Sequence, residues 1–256
     1  MGMFFPEEEE HFTGRRKTGF PRYKEVLEGS WKEFFLVGFM TLLFFLPFAG
    51  GMVYAVLTSS ALVALLAGLA GGAIAGPGFA CLIDILLRRL RSDKDDWWAS
   101  YKRAFRQNWR AAILPGVVQC VFLGVIVYGG ALMYWGAGAV TPATLLLLLF
   151  ASLLLTMLMS AWWPQVVLFE QKALLQIKNA LLFCIFHFWK VARSAILEIL
   201  WWVILILFLP WTAFVVPILG VWYIKYVALF LLYPLLDEDF RIEEQIEEKF
   251  PGVMEE

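Results

Sequence analysis

The fold is decided by a run of fifty residues without a charge, from Phe34 to Ile83: FFLVGFMTLLFFLPFAGGMVYAVLTSSALVALLAGLAGGAIAGPGFACLI. Two further runs are similar, because 111–169 carries no charge and 199–236 carries only Lys225. One helix needs about 20 apolar residues to cross the roughly 30 Å of hydrocarbon in a bilayer. Each run therefore suits two crossings, and the three hairpins predict an all-α, polytopic membrane protein with six transmembrane helices.

Positive charge separates these runs. Of the 21 Lys and Arg residues, 20 fall within 1–33, 84–110, 170–198 and 237–256. Basic residues are retained on the cytoplasmic side of a membrane, so we expect all four stretches and both termini to be cytoplasmic. The composition agrees, because 61% of the residues are hydrophobic and soluble domains average about 45–50%.

The same pattern divides the chain into three parts. We predict a polar cytoplasmic tail at 1–22, a six-helix transmembrane domain at 23–236 and an acidic amphipathic tail at 237–256. Within the domain, cytoplasmic loops at 88–110 and 170–191 carry amphipathic segments. The predicted spans lie at about 34–56, 60–90, 110–135, 143–168, 192–209 and 214–235.

Aromatic-cation pairs precede the three predicted hairpins. They are Tyr23-Lys24, Trp31-Lys32, Tyr101-Lys102, Trp109-Arg110 and Trp189-Lys190. The first two pairs recur after 78 positions, which indicates either an internal repeat or the common anchoring of Trp and Lys at a membrane edge. By the same anchoring chemistry, we expect Trp162 and Trp163 to lie in the interfacial aromatic belt.

Small residues recur every four positions along the second span. Those that define the ridge are Ala64, Gly68, Gly72, Gly76 and Ala80. Because lipid supplies no hydrophobic drive for helix association, such a ridge predicts a close helix contact. The partner is either another helix of this chain or a second copy, so a homo-oligomer stays open. The following Gly76-Pro77-Gly78 predicts an interruption of the helix.

Three charged residues fall inside the predicted spans: Lys225, Glu198 and Asp84. Lys225 precedes Asp237 by 12 residues, which is about 18 Å along a helix and close to the bilayer midplane. An ionised Lys there costs at least about 2.5–3.5 kcal/mol, so Glu198 and Asp84 are candidate partners. Asp84 can also pair with Arg88, four residues on. The alternatives for Lys225 are an interhelical ion pair and the lining of a transport cavity.

The loop at 88–110 combines aromatic and basic residues at helical spacing, and Asp96 can cap its helix. The residues predicted to contact lipid or a partner are Trp97, Tyr101, Lys102, Arg103, Phe105, Arg106, Asn108, Trp109 and Arg110. A helix lying in the headgroups of anionic lipid and a docking helix for a protein are both consistent with this pattern. The stretch 172–190 is a second segment of this kind. Nucleic-acid binding is not expected, because a position at the edge of the membrane already explains why aromatic and basic residues are mixed in this loop.

Motifs of catalysis and metal binding are absent from the sequence. It contains no HExxH, GxSxG, P-loop or GxGxxG, and neither histidine has a companion at ligand spacing. We therefore predict a protein that is not an enzyme, with no catalytic, cofactor-binding or metal-binding residues and no cofactor.

One stretch begins with Gly-Pro near the end of the second span, continues into a basic helix end and closes in Phe-x-x-Asn-aromatic. The positions are Gly76, Pro77, Arg88, Arg89, Phe105, Asn108 and Trp109. This order resembles the YesL-like family of bacterial integral membrane proteins. The later 178–181, KNAL, is similar to that family's second cytoplasmic segment, whereas the acidic N-terminal tail departs from it.

The resemblance implies a function in carbohydrate use, because members of the family commonly occur beside polysaccharide-degradation genes and carbohydrate importers of the ABC type. We expect a multi-pass protein of the bacterial cell membrane that is an accessory of such an importer and contacts its permease or ATPase subunits. The alternative is a stand-alone transporter of a small solute, with a cavity near Lys225.

Overall fold

The computed structural model describes residues 19–91, 96–134 and 141–249, which form helices and no strand. The helices are α1 (Gly19–Leu57), α2 (Ala61–Leu90), α3 (Trp97–Tyr134), α4 (Pro142–Leu168), α5 (Ala173–Phe186), α6 (Phe188–Leu207), a π-helical turn (Val216–Gly220), α7 (Trp222–Phe240) and α8 (Ile242–Lys249). Residues 1–18 of the predicted polar tail, 92–95 of the predicted loop and the tail beyond Lys249 lie outside this part of the chain.

Five stretches of the described chain are long and apolar enough to cross a membrane: α1, α2, α3, α4 and Val216–Phe240. The protein is therefore all-α and multi-pass, which confirms this much of the sequence prediction. The fifth predicted span, 192–209, corresponds to α6, which has 20 residues. Three charged residues, Lys190, Arg193 and Glu198, fall within its 20 residues, whereas each of the other five contains an apolar stretch of 18 residues with at most two charges.

The amphipathic segments before the first and third predicted spans are continuous with them. α1 begins at Gly19 and α3 at Trp97, before the predicted starts and 78 positions apart, which is the spacing of the repeated pairs. At the start of α3, the backbone N–H of Ala99 donates to the Asp96 carboxylate at 2.9 Å. This confirms the predicted cap. Helical periodicity is present on both sides of the expected boundary. This explains why each amphipathic segment and the span that follows it form one continuous helix.

α2 continues through Gly76-Pro77-Gly78, so the predicted interruption is wrong. Proline is tolerated in a membrane helix where neighbouring groups bond the backbone that it disturbs. Pro77 removes the donor for the Ala73 carbonyl; one residue after the proline, the carbonyl of Gly78 accepts a hydrogen bond from Oγ1 of Thr41 on α1 at 3.2 Å. The side chain of a neighbouring helix therefore supports the backbone beside the proline.

The charged helix ends lie together at one end of the bundle. Arg89, near the end of α2, pairs with Glu33 of α1 at 2.6 Å. Phe169, just after α4, packs against Phe240 at the end of α7 with ring centroids 5.2 Å apart and the rings tilted by 50°. The opposite connection, Thr58 to Ser60 between α1 and α2, carries no charge.

Most of the buried core belongs to the half of the bundle near this charged end. On α2, every residue of 75–87 is buried, whereas only Ala64 and Gly68 are buried within 61–70. Other helices surround the second half of α2 on all sides, and the first half exposes leucines such as Leu62. The helices therefore converge at the charged end and leave more surface to lipid at the other.

Trp162 and Trp163 belong to this core and not to an interfacial belt. Each is only 1% exposed. The indole N–H of Trp163 donates to Gln119 at 2.7 Å, and that of Trp162 to Gln176 at 3.4 Å. Their predicted position was wrong because a tryptophan whose N–H finds a partner inside the protein does not need the membrane interface.

Candidate functional site

A buried ion pair joins α6 and α7. The Lys225 ammonium donates to one carboxylate oxygen of Glu198, and the other oxygen accepts from Oγ of Ser160 on α4 at 3.0 Å. All three residues are more than nine-tenths buried. Nζ of Lys225 also lies 5.5 Å from the ring centre of Phe79 on α2. Four helices therefore meet at this charge.

Only one of the two expected partners of Lys225 contacts it. Asp84 is buried on α2, where it accepts from Nε of Arg88 at 2.7 Å. The third member of the cluster, Ser160, was missed by the sequence analysis. A lone hydroxyl between the apolar Met159 and Ala161 was the available signal, but serine is common in membrane helices and did not point to Glu198.

The space beside this cluster is small. A void of about 10 Å³ is lined by residues that include Ile83, Trp163 and Leu229 as well as the charged pair. One water molecule needs about 10–15 Å³ by the same measure. The void therefore has room for about one water molecule. The contacts beside it neutralise the two buried charges of Lys225 and Glu198.

The small-residue ridge of α2 packs against α3 of the same chain at backbone distance. A Cβ built on Gly76 would lie 2.3 Å from the carbonyl oxygen of Ala112, and one on Gly72 would lie 2.6 Å from that of Gly116. Gly68 meets the backbone of Val121 in the same way, at 2.8 Å. Ala64 and Ala80 are buried on the same helix. The ridge therefore forms an intramolecular seam.

The aromatic and basic residues at the start of α3 divide between two faces. Tyr101 is buried, and Trp97, Phe105 and Asn108 are partly buried. The outward-facing members are Lys102, Arg103, Arg106, Trp109 and Arg110. Four-residue spacing drifts around a 3.6-residue helix, which explains why the aromatic row begins against the core and ends outside. The surface open to lipid or a partner is mainly basic.

Exposed tryptophans beside cations mark this end of the molecule. Trp31 is 52% exposed, Trp109 42% and Trp189 74%. The guanidinium of Arg110 lies 5.0 Å from the Trp109 ring centre, within cation–π range. The equivalent positions of the sequence repeat therefore share an environment, because each of these tryptophans faces outward.

Cations on α1 and α2 are largely neutralised by the protein itself. The pairs are Arg22–Glu25, Lys24–Glu28, Arg88–Asp84 and Arg89–Glu33. The α5–α6 region differs, because its cations are exposed and have no ion-pair partner in the described chain. They are Lys172, Lys178, Lys190 and Arg193. This region therefore offers positive charge to an external anion.

The helix α5 turns Gln176 toward the protein and several large apolar residues outward. Gln176 is 1% exposed and bonds the Trp162 indole and the backbone of Phe169 and Gln171, whereas Leu174 is 81% exposed. The predicted amphipathic segment therefore directs Gln176 inward, while its outer surface carries leucines together with Lys178. Such a helix suits contact with lipid, because water would not favour its outer surface.

The single histidine in the described chain contacts a carboxylate. His187 lies between α5 and α6, and its Nε2 is 3.0 Å from a carboxylate oxygen of Asp239 on α7. Within the described residues, no three His, Cys, Asp or Glu side chains are grouped as metal ligands would be. His187 therefore links α7 to the α5–α6 junction.

The acidic C-terminal segment folds back on α7. Arg241 adopts a left-handed conformation that reverses the chain, and Ile242 is buried in the core. Tyr233 donates to the Glu243 carboxylate at 3.0 Å, and the Glu243 N–H donates to Asp237 at 2.8 Å. The start of α8 is therefore attached to the preceding helix.

No protein-family model, curated protein or solved structure matches the chain.

Proposed function

We propose that α6 is a sixth crossing and that both termini lie in the cytoplasm of a bacterial cell membrane. The grouping of charged helix ends at one end of the bundle supports this topology, since basic residues stay on the cytoplasmic side. The charge within α6 is compatible with a crossing, because Glu198 is paired with Lys225. Cysteine labelling of intact cells tests the topology. A probe cysteine at Arg106 should be protected from an impermeant maleimide, and labelling from outside would refute it.

We propose that the protein is a non-enzymatic accessory subunit of a carbohydrate importer of the ABC type. The observation that carries the proposal is that charge is neutralised inside the bundle and remains open at its surface. The buried Lys225–Glu198 pair is neutralised beside a void of about 10 Å³, whereas exposed cations such as Arg106 face outward. Such an arrangement favours binding at the surface over passage of a solute through the interior.

The importer as partner rests on the resemblance to the YesL-like family. The residues of that resemblance lie in two environments. Gly76 and Pro77 are buried in α2, and Asn108 is half-buried, so these positions stabilise the fold. Trp109 is exposed, as is its neighbour Arg110, which is not part of the resemblance, and both are available to a partner subunit.

Affinity purification in mild detergent, followed by mass spectrometry, tests this function. We expect the tagged protein to recover permease or ATPase subunits of an importer. The double variant Trp109→Ala/Arg110→Gln should reduce that recovery without loss of thermal stability. Lys24→Gln, which removes a cation already paired with Glu28, is the matched control and should recover the same subunits as the wild type. Recovery that is equal in both variants would contradict the proposed surface.

The second candidate is a stand-alone transporter, which the buried Lys225–Glu198 pair between α6 and α7 favours because intramembrane ion pairs can line transport paths. Reconstitution into liposomes separates the two functions. Solute uptake by the purified protein alone, abolished in Lys225→Met that remains folded, would replace the accessory function with transport. No uptake together with recovered importer subunits would exclude it.

A further inference from the structure

One face of α6 is exposed along the whole length of the helix. Its exposed residues recur every three or four positions, which places them in one row on a 3.6-residue helix. We call this row the outer stripe of α6, and its members are Trp189, Arg193, Ile196, Leu200, Ile204 and Leu207. Trp189 is 74% exposed near the start of the helix, and Leu207 is 71% exposed at its end. The described protein therefore leaves this face of α6 uncovered.

Two cations lie within one helical turn at the start of the outer stripe. Lys190 precedes Arg193 by three positions, so the two side chains are neighbours on the helix surface. Both are exposed and have no ion-pair partner in the described chain. The one carboxylate on the same helix belongs to Glu198, which is buried and pairs with Lys225. The start of the stripe therefore presents two positive charges that the described protein does not neutralise.

The position and length of the outer stripe match one leaflet of a bilayer. His187, just before α6, contacts Asp239 near the end of α7, so the stripe begins at the charged end of the bundle. An exposed tryptophan such as Trp189 is typical of headgroup level. The apolar part from Ile196 to Leu207 extends over about 16 Å at 1.5 Å per residue, and one leaflet contributes about 15 Å of hydrocarbon. The stripe therefore combines a charged end at headgroup level with an apolar part as long as one leaflet.

Large side chains make the outer stripe a poor contact for another helix. Helices in membranes approach one another through small residues, as α2 and α3 do at Gly72 and Gly76. On α6, the small residues Ala192, Ser194 and Ala195 are buried inside the bundle, and the stripe contains none. Lipid therefore suits the stripe better than a helix of a second protein.

We propose that the outer stripe of α6 binds one anionic phospholipid of the cytoplasmic leaflet. Lys190 and Arg193 bind the phosphate of its headgroup, and one acyl chain lies along the apolar part of the stripe. Cations at a membrane surface attract anionic lipid, and the arginine guanidinium can donate two hydrogen bonds to one phosphate. The inference rests on the proposed crossing by α6, which gives the charged end of the stripe its cytoplasmic position.

Native mass spectrometry of the full chain in mild detergent, titrated with phosphatidylglycerol or phosphatidylethanolamine, tests the headgroup contacts. We expect the first phosphatidylglycerol to bind more tightly than phosphatidylethanolamine. Lys190→Gln/Arg193→Gln should weaken phosphatidylglycerol binding roughly 25-fold, about fivefold for each cation, and leave phosphatidylethanolamine binding unchanged.

Lys172→Gln/Lys178→Gln is the matched control for this experiment. It removes two exposed, unpaired cations that lie on or beside α5 and outside the stripe, so the net charge changes by the same amount. We expect this variant to bind both lipids as the wild type does. Equal losses in the two double variants, or no loss in either, would overturn the proposal.

A photoreactive amino acid at Leu200 tests the acyl-chain contact in liposomes that contain equal amounts of the two lipids. Leu200 lies on the stripe and is 49% exposed. We expect its adducts with phosphatidylglycerol to outnumber those with phosphatidylethanolamine, and Lys190→Gln/Arg193→Gln to remove that preference. The same probe at Leu146, which is 67% exposed on α4 and lies outside the stripe, should show no preference in either protein.

The topology and the lipid site are refuted by different results. Labelling of Arg106→Cys from outside intact cells would refute the topology and with it the cytoplasmic leaflet. Protection of that cysteine together with equal adducts of the two lipids at Leu200 would refute the lipid site alone. Crosslinks from Leu200 to a second copy of the chain would assign the stripe to a dimer and overturn the proposal.

Discussion

The α2–α3 seam and the first half of α4 are both apolar helix surface, but they have opposite surroundings. In the seam, Gly72 and Gly76 bring backbone against backbone. In α4, Leu146 and Leu147 are each 67% exposed and Leu149 is 56% exposed. The more hydrophobic of the two surfaces is the one that the protein leaves uncovered.

This difference follows from the solvent. Lipid tails are as apolar as leucine, so covering a leucine with protein gains little in a membrane. Close backbone approach, hydrogen bonds and ion pairs supply the remaining stabilisation. The four helices that meet at Lys225 and Glu198 are held by such polar contacts, and α2 and α3 by small residues. We therefore expect stability to depend on small and polar residues more than on large apolar ones.

The largest effect is expected from Gly76→Leu. A Cβ at this position would lie 2.3 Å from the backbone oxygen of Ala112, and backbone cannot move aside as a flexible side chain can. Detergent-extracted yield and thermal unfolding measure the result, and we expect almost no folded protein. Gly50→Leu is the matched control, because nothing lies within 4 Å of a Cβ at Gly50. Equal stability of the two variants would contradict the close seam.

A large but smaller effect is expected from Lys225→Met. The change leaves the Glu198 carboxylate buried without its partner, which costs about 3–5 kcal/mol. In Lys225→Met/Glu198→Leu no unpaired charge remains, so most of the stability should return. Thermal unfolding of the two variants in the same detergent measures the difference. If the double variant is no more stable than the single one, charge neutralisation is not the main role of the pair.

A moderate effect is expected from Tyr226→Phe. The Tyr226 hydroxyl donates to the backbone carbonyl of Tyr23 at 2.7 Å and so links α7 to α1. Loss of this hydrogen bond should cost about 0.5–1.5 kcal/mol, measured as a lower unfolding temperature. The matched control is Tyr54→Phe, because Tyr54 is 60% exposed on α1. A larger loss in the control would show that this link does not stabilise the bundle.

The smallest effect is expected from Leu146→Ala. Lipid can replace the contacts of this exposed side chain, so we expect a loss below about 0.5 kcal/mol, as for surface positions in general. Leu82→Ala provides the contrast, because Leu82 is fully buried on α2 and its truncation should cost about 2–5 kcal/mol. Similar losses at the two positions would mean that protein, not lipid, covers Leu146.

Much of the fold could be predicted because the position of each span depends on the residues within and next to it, namely the length of the apolar run and the charges at its ends. The bounds of α2 and α4 agree with the predicted spans to within one residue, since uncharged runs and the Ser60 and Thr141 caps fix them. The starts of α1 and α3 were predicted too late. Polar residues there suggested a boundary, but a helix does not have to end where its surroundings change from lipid to water.

The candidate site could be predicted only in part. The cost of an isolated charge in a membrane pointed to Lys225 and gave Glu198 and Asp84 as its possible partners. The choice between them depends on how α6, α7 and α2 are rotated about their axes, which residue spacing does not specify. Ser160 was missed for the same reason, and so was the inward position of Gln176 on α5.

By itself, the sequence determined that the chain is a helical membrane protein with its cations gathered between apolar runs. The physical reason is that each apolar run must be long enough to cross the bilayer, and that the basic residues beside it decide which side its ends occupy. Both conditions apply to one segment at a time. The tertiary structure alone decided that the glycine ridge faces Ala112 and Gly116, that Lys225 pairs with Glu198, and that the outer stripe of α6 is left uncovered. Those outcomes depend on contacts between segments far apart in sequence. Because the helices are similarly apolar, close backbone contact and the pairing of buried charges decide which helices pack together and which faces they use.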